Sequence, residues 1–149
     1  MCSGYIVPQL LVQGAETNKE KGRFFMHILV AEDNRDFRES LAQFLTESEG
    51  FRVTQVEDGL EAITYFMCEE TIQIVISDME MPRQNGAELF EAIREELERR
   101  KGRFLLVTGM HIGDVNQPDW VRVFRRHAVP ILQKPFKLEE LVMALHAPV

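Results

Sequence analysis

An acidic residue ends a strongly apolar stretch of this sequence. Residues 74–76 are Ile, Val and Ile, which is typical of a strand buried on both faces, and Ser77 and Asp78 follow directly. A second acid, Glu80, lies two residues further on. Burying a carboxylate without a partner is costly, so the fold must supply Asp78 with a cation or a proton.

Other apolar runs also end in chemically active side chains, namely Glu32, Asp33, Thr108 and Lys134. The carboxyl ends of parallel strands meet at one edge of a sheet, which would bring these side chains together. Two like charges 4 Å apart repel by about 4 kcal/mol at an effective dielectric constant near 20, so three carboxylates there call for a cation. Ligation by a few carboxylate oxygens favours Mg²⁺.

Such a site could carry out phosphoryl transfer. Thr108 can donate a hydroxyl hydrogen bond, and Lys134 an ammonium group, to the oxygens of a phosphoryl group, with Asp78 as the nucleophile. Each residue also has a simpler reading. The Glu32–Asp33 pair fits a solvated loop start, and Asp33 or Asn34 fits the cap of the next helix.

The elements that must position these residues alternate along the chain. Strand-like runs occupy 27–31, 51–56, 71–77, 103–108 and 129–133, and segments of helical period follow at 36–45, 60–67, 87–97, 118–127 and 138–146. This alternation predicts an α/β fold with a doubly wound, five-stranded parallel sheet covered by helices on both faces. Strand order 2-1-3-4-5 would place the acids of strands 1 and 3 side by side.

Composition narrows the function. The formal net charge of −7 argues against binding to nucleic acid phosphates, and no apolar run is long enough to span a membrane. No export signal is visible, and Cys2 and Cys68 lack metal-binding spacing, so we expect free thiols and a cytoplasmic protein. Residues 1–25 are predicted to be an N-terminal extension or linker, or else an extra element that docks on a domain spanning 26–149.

Four motifs together resemble those of two-component response-regulator receiver domains, which include the single-domain chemotaxis regulators. They are AEDN at 31–34, ISDMEMPRQNG at 76–86, LLVTG at 105–109 and QKPF at 133–136. The resemblance extends from His27 to about Leu145. It implies a flavodoxin-like, CheY-like (βα)5 fold that takes a phosphoryl group onto Asp78 from a histidine kinase or a histidine phosphotransfer protein.

The resemblance also implies roles for individual residues. Mg²⁺ would be held by Asp33, Asp78, the backbone carbonyl of Glu80 and, through water, Glu32. Thr108 and Lys134 would contact the phosphoryl group, Gly109 would leave room for it, and the Lys134–Pro135 peptide would be cis. Ile131 stands where the family often has an aromatic switch residue, and we expect Met110 and Ile131 to modulate the signal.

The resemblance implies a signalling module that catalyses only its own phosphorylation and dephosphorylation. Output would come through a downstream protein target, with no direct contact to nucleic acid or membrane, and a homodimer is left open. One alternative is a Mg²⁺-dependent phosphatase of the haloacid dehalogenase type, although Asp78-Met79-Glu80-Met81 fits its DxD pattern poorly. The other is a receiver-like module that works without phosphorylation.

Overall fold

A computed structural model describes residues 12–13, 26–113 and 116–147 of the chain. Its strands are β1 (Val12–Gln13), β2 (His27–Ala31), β3 (Arg52–Val56), β4 (Ile72–Asp78), β5 (Arg103–Thr108) and β6 (Ile131–Gln133). Its helices are α1 (Arg35–Glu47), α2 (Gly59–Cys68), α3 (Gly86–Arg99), α4 (Asp119–Arg126) and α5 (Leu138–His146). Among these described residues, no helix combines the length and apolar character needed to cross a bilayer.

The strands form one sheet in the order β1-β3-β2-β4-β5-β6. The strands from β2 to β6 all run parallel to their neighbours, and counted from β2 their order is 2-1-3-4-5. The predicted fold is therefore confirmed. β1 adds a short antiparallel edge, with Val12 opposite Thr54.

The sheet separates two apolar layers, because successive side chains of a strand point to opposite faces. In β2, Ile28 and Val30 pack against α1 and α5, while Leu29 and Ala31 pack against α2, α3 and α4. Both layers are buried, which explains the uninterrupted apolar runs of the central strands. The polar ends of those strands are left at the rim of the sheet.

Three helices begin at side-chain caps beside this rim. Asn34 accepts a hydrogen bond from the backbone of Phe37, and Asp58 caps α2 in the same way. Asn85 and Glu88 form a reciprocal capping box at the start of α3. Since Asn34 caps α1, Asp33 is not needed for that task.

One expectation is wrong and another lies mostly outside the described residues. Cys68 is disulfide-bonded rather than a free thiol. The expectation failed because the absence of metal-binding spacing does not exclude a disulfide bond. Of residues 1–25, the structure describes only β1, so the extension or linker stays a prediction.

Candidate functional site

The central strands bring three acidic side chains to one edge of the sheet. Ala31 at the end of β2 lies opposite Ser77 in β4, so the next residues, Glu32 and Asp78, are neighbours. Carboxylate oxygens of Glu32, Asp33 and Asp78 all lie within 4.8 Å of one another. The predicted convergence of these acids is therefore present in the fold.

A single lysine lies among these acids. The Nζ atom of Lys134 is 2.8 Å from Oε2 of Glu32 and 3.7 Å from Oδ2 of Asp78. Its backbone N–H donates to the carbonyl oxygen of Thr108 at 2.7 Å, and its ammonium group lies 4.2 Å from the ring centroid of Phe37. The peptide between Lys134 and Pro135 is cis, as expected. Lys134 therefore partly compensates two of the three carboxylates.

Burial makes the charged forms of two acids unfavourable. Asp78 is 9% exposed and Glu32 is buried, whereas Asp33 is exposed. Burial raises the pKa of Glu32 and of Asp78 above their usual ranges, although the neighbouring Lys134 ammonium acts in the opposite direction. The site thus holds more negative charge than its own residues compensate.

Backbone N–H groups fix the directions of the buried carboxylates. Met79 donates to Oδ1 of Asp78 at 2.8 Å, and Asn34 donates to Oε1 of Glu32 at 3.1 Å. The other oxygen of each carboxylate is the one nearest Lys134. Each acid is therefore held in one orientation before any ligand arrives.

Thr108 and Gly109 border the same edge at the end of β5. Thr108 is fully buried, and its hydroxyl oxygen accepts a hydrogen bond from the backbone of Met110 at 3.0 Å. Gly109 is exposed, and a Cβ added there would meet no protein atom within 4 Å. The space beside Gly109 is therefore open, and its use by a phosphoryl group stays a prediction.

An open depression of about 520 Å³ adjoins the acids. It is lined by Asp33, Met79, Glu80, Met81, Asn85, Met110 and Trp120. Glu80 and Met110 thus border the approach to the site, and the modulating role of Met110 stays a prediction. Ile131 instead packs against the apolar layer under α2, α3 and α4.

The donor set fits a hard divalent cation. Its candidate ligands are carboxylate oxygens, without histidine or thiolate, and Mg²⁺ prefers oxygen donors. Asp33 is exposed and can meet a hydrated ion, and a cation would relieve the repulsion that accompanies the raised pKa values of Glu32 and Asp78. Asp33, Asp78 and Glu32 are the residues that would hold it.

Two supporting residues were not expected from the sequence. Arg38 is buried on α1, and its Nη1 donates to the backbone carbonyl of Glu32 at 2.8 Å. The ring of Phe37, also on α1, lies against the Lys134 ammonium. Arg38 could have been noticed as a charged residue next to the apolar stripe of α1, but the contact of Phe37 depends on a residue far along the chain.

Comparisons with known proteins agree with this geometry. The family model described as response regulator receiver domain matches residues 28–146. Response regulator RR06 of Streptococcus pneumoniae is 34% identical over 122 residues, covering 82% of this chain and 52% of that protein. A probable chemotaxis protein CheY of Rhizobium etli is 28% identical over 120 residues, covering 80% of this chain and 89% of that protein. The chain thus spans about half the length of RR06 but most of the CheY relative.

Solved structures share the fold. A chain in the crystal structure of the CheX–CheY–BeF3–Mg²⁺ complex from Borrelia burgdorferi superposes with a TM-score of 0.70 at 23% identity, covering 88% of this chain and 96% of that one. The family model covers most of the chain, and the sheet order and the acidic strand ends are those expected of that family. The chain belongs to the response regulator receiver domain family of two-component signal transduction.

Proposed function

We propose that this receiver domain accepts a phosphoryl group on Asp78 from a phosphohistidine of a histidine kinase or a histidine phosphotransfer protein. The observation that carries the proposal is a cluster of three carboxylates, two of which contact the same lysine, at the ends of the central strands. Because the carboxylates carry more negative charge than Lys134 can neutralise, the site suits a reaction in which a divalent cation binds together with the phosphoryl group. Output would then come from contact with a downstream protein.

The transfer follows from the placement of the side chains. An oxygen of Asp78 attacks phosphorus, the P–N bond to the donor imidazole breaks, and the imidazole leaves with the bonding electron pair and takes up a proton. Lys134, already 3.7 Å from Asp78, would exchange its contact with Glu32 for one with a phosphoryl oxygen. Thr108 and the open space at Gly109 would receive the remaining oxygens. Bound Mg²⁺ would supply additional positive charge for the transferred group.

Mg²⁺ would be held by Asp33 and Asp78, by the backbone carbonyl of Glu80 and, through water, by Glu32. The Borrelia complex that shares the fold contains BeF3 and Mg²⁺, which supports a test with the same reagents. A histidine kinase as phosphoryl donor and a protein as downstream target suit a signalling module located in the cytoplasm. Such a module would hydrolyse only its own acyl phosphate and would act on no other substrate.

The test is phosphorylation by a small donor, acetyl phosphate, followed by intact mass spectrometry. With Mg²⁺ we expect the wild-type chain to gain the mass of one phosphoryl group, and hydroxylamine should remove it because the product is an acyl phosphate. Asp78→Asn should fold and stay unlabelled. Equal labelling of the variant would refute Asp78 as the acceptor. A wild-type chain that is not labelled and also does not bind beryllofluoride would favour a module that works without phosphorylation.

A further inference from the structure

The loop between β4 and α3 is tied to the start of α2 by an ion pair outside the acidic site. Nε and Nη2 of Arg83 lie 2.9 Å and 2.6 Å from Oδ2 of Asp58. Arg83 belongs to the segment that links Asp78 to α3, and Glu80 lies within that segment. The pair therefore connects the loop of the acceptor residue to a neighbouring element that contributes none of the proposed ligands.

Asp58 is a rigid anchor because both of its oxygens are used. Oδ1 accepts from the backbone N–H of Glu61 at 2.8 Å and caps α2, while Oδ2 binds Arg83. Asp58 is 7% exposed. Exposed ion pairs contribute little because both side chains must be ordered, but here the acid is already fixed by the helix.

The backbones of the two segments also approach closely. A Cβ added to Gly59, the first residue of α2, would overlap the carbonyl group of Gln84. Arg83 has a φ of 66°, in the left-handed region that costs a residue with a Cβ some free energy. A non-glycine residue in that conformation indicates that its surroundings hold the loop in one shape.

We propose that Asp58 and Arg83 are positioning residues for the Mg²⁺ centre, since they hold the β4–α3 loop and thereby the Glu80 carbonyl beside Asp33. Glu80 and Asp33 line the same depression, so a displaced loop would alter the spacing of two proposed ligands. The inference rests on the proposed function, because it concerns the metal of the same site. Neither residue touches the reacting atoms.

The test measures Mg²⁺ affinity in Asp58→Asn, Arg83→Gln and the double variant. Asparagine is as good an N-cap as aspartate, so Asp58→Asn keeps the cap of α2 and removes only the charge that binds Arg83. Trp120 is the only tryptophan of the chain and lines the depression, so its fluorescence can follow a Mg²⁺ titration. Groups that support metal ligands typically contribute 10–100-fold to affinity, and we expect a rise in Kd of roughly 10-fold.

Several controls separate a positioning role from a purely structural one. The double variant should match the single variants, because one broken pair cannot be broken twice. Arg83→Lys should recover part of the affinity. Arg99→Gln, which removes an ion pair with Glu96 near the other end of α3, should bind Mg²⁺ like the wild type.

Each result decides the matter. If the wild type binds Mg²⁺ and both single variants bind it equally well, the inference is wrong even where their urea midpoints fall. Additive losses in the double variant would also overturn it, since the two residues would then act separately. If the wild type itself does not bind Mg²⁺, the proposed function fails first.

Discussion

The two ends of strand β2 bury titratable groups in opposite ways. At the start of the strand, His27 is 3% exposed, and both of its ring nitrogens contact threonine hydroxyls, at 2.8 Å to Thr71 and 2.6 Å to Thr54. Immediately after the strand, Glu32 shares one lysine with Asp78. The first group is neutral and satisfied, whereas the second belongs to an excess of like charge.

The directions of its hydrogen bonds explain why His27, at the start of β2, is neutral. The hydroxyl of Thr71 donates to Glu69 at 2.8 Å, so it accepts from Nδ1–H of His27, and Nε2 then accepts from Thr54. Burial, followed by the nearby charge of Arg52, lowers the pKa of His27 to about 4. A buried polar group with fixed neutral partners contributes to stability, while a group that lacks a full set of partners is available for a ligand.

Truncation of His27, whose ring nitrogens both have partners, should have the largest effect on the free energy of unfolding. His27→Ala leaves the buried hydroxyl of Thr54 without its partner and creates a cavity, and we expect a loss of about 3 kcal/mol in the free energy of unfolding. Urea denaturation at neutral pH measures this. A loss below about 1 kcal/mol would mean that the site relaxes and that the two ends differ less than the structure indicates.

The pH dependence should reveal the same contrast. Because the pKa of His27 falls from 6.5 to about 4 on folding, the unfolded chain binds more protons between these values, and stability falls as the pH drops. Between pH 7 and pH 5, protonation of His27 in the unfolded chain should lower the free energy of unfolding by about 2 kcal/mol. His27→Gln should lack that part of the loss, and an unchanged pH profile would contradict a neutral His27.

The carboxylates after the end of β2 should affect the pH dependence of stability with the opposite sign to His27. The pKa values of Glu32 and Asp78 are raised by burial, so the folded state binds protons more readily and their destabilising effect grows as the pH rises. Without divalent cations, Asp78→Asn should therefore stabilise the fold by about 1 kcal/mol, since it removes one charge from the cluster.

Removal of an exposed acid provides the control for Asp78→Asn. Glu95 is exposed on α3, and Glu95→Gln changes the net charge equally without touching the cluster. Its stability should stay within about 0.5 kcal/mol of the wild type. If Asp78→Asn were destabilising, the carboxylate would be a structural partner of Lys134 rather than a surplus charge.

The smallest effect concerns the lifetime of the proposed acyl phosphate. Glu80 and Met110 line the depression beside Asp33, whereas Ile131 packs in the apolar layer. Glu80→Ala and Met110→Ala should change the dephosphorylation rate by roughly 2- to 5-fold, which is below about 1 kcal/mol in barrier height. Ile131→Tyr should change it less, and the reverse ranking would show that residue 131 controls the switch.

The sequence predicted features that depend on local pattern and on the rules of parallel sheets. The ends of β2, β4 and β5 follow from the apolar runs of the sequence, and the predicted segment of helical period at 87–97 lies within α3. Lys134 and Glu32 lie 102 positions apart, and their side chains are in contact. Even this contact could be expected, because both residues follow parallel strands whose carboxyl ends lie at the same edge of the sheet.

Other features depend on side-chain directions in loops or on weak local signals. The pairing of Arg83 with Asp58 requires a left-handed residue in the β4–α3 loop, and no sequence pattern specified it. β1 has two residues and pairs antiparallel with β3, too short for an alternating pattern to reveal. Such contacts become visible only when the chain is folded.

The central claim is that a cation completes the acidic end of β2. The most direct measurement is the free energy of unfolding as a function of Mg²⁺ for the wild type, Asp33→Ala and Asp78→Asn. At a Mg²⁺ concentration ten times the dissociation constant, binding to the native state alone should stabilise the wild type by about 1.4 kcal/mol, and the two variants should gain much less. An unchanged wild type, or an equal gain in Asp33→Ala and Asp78→Asn, would contradict a magnesium site formed by these residues.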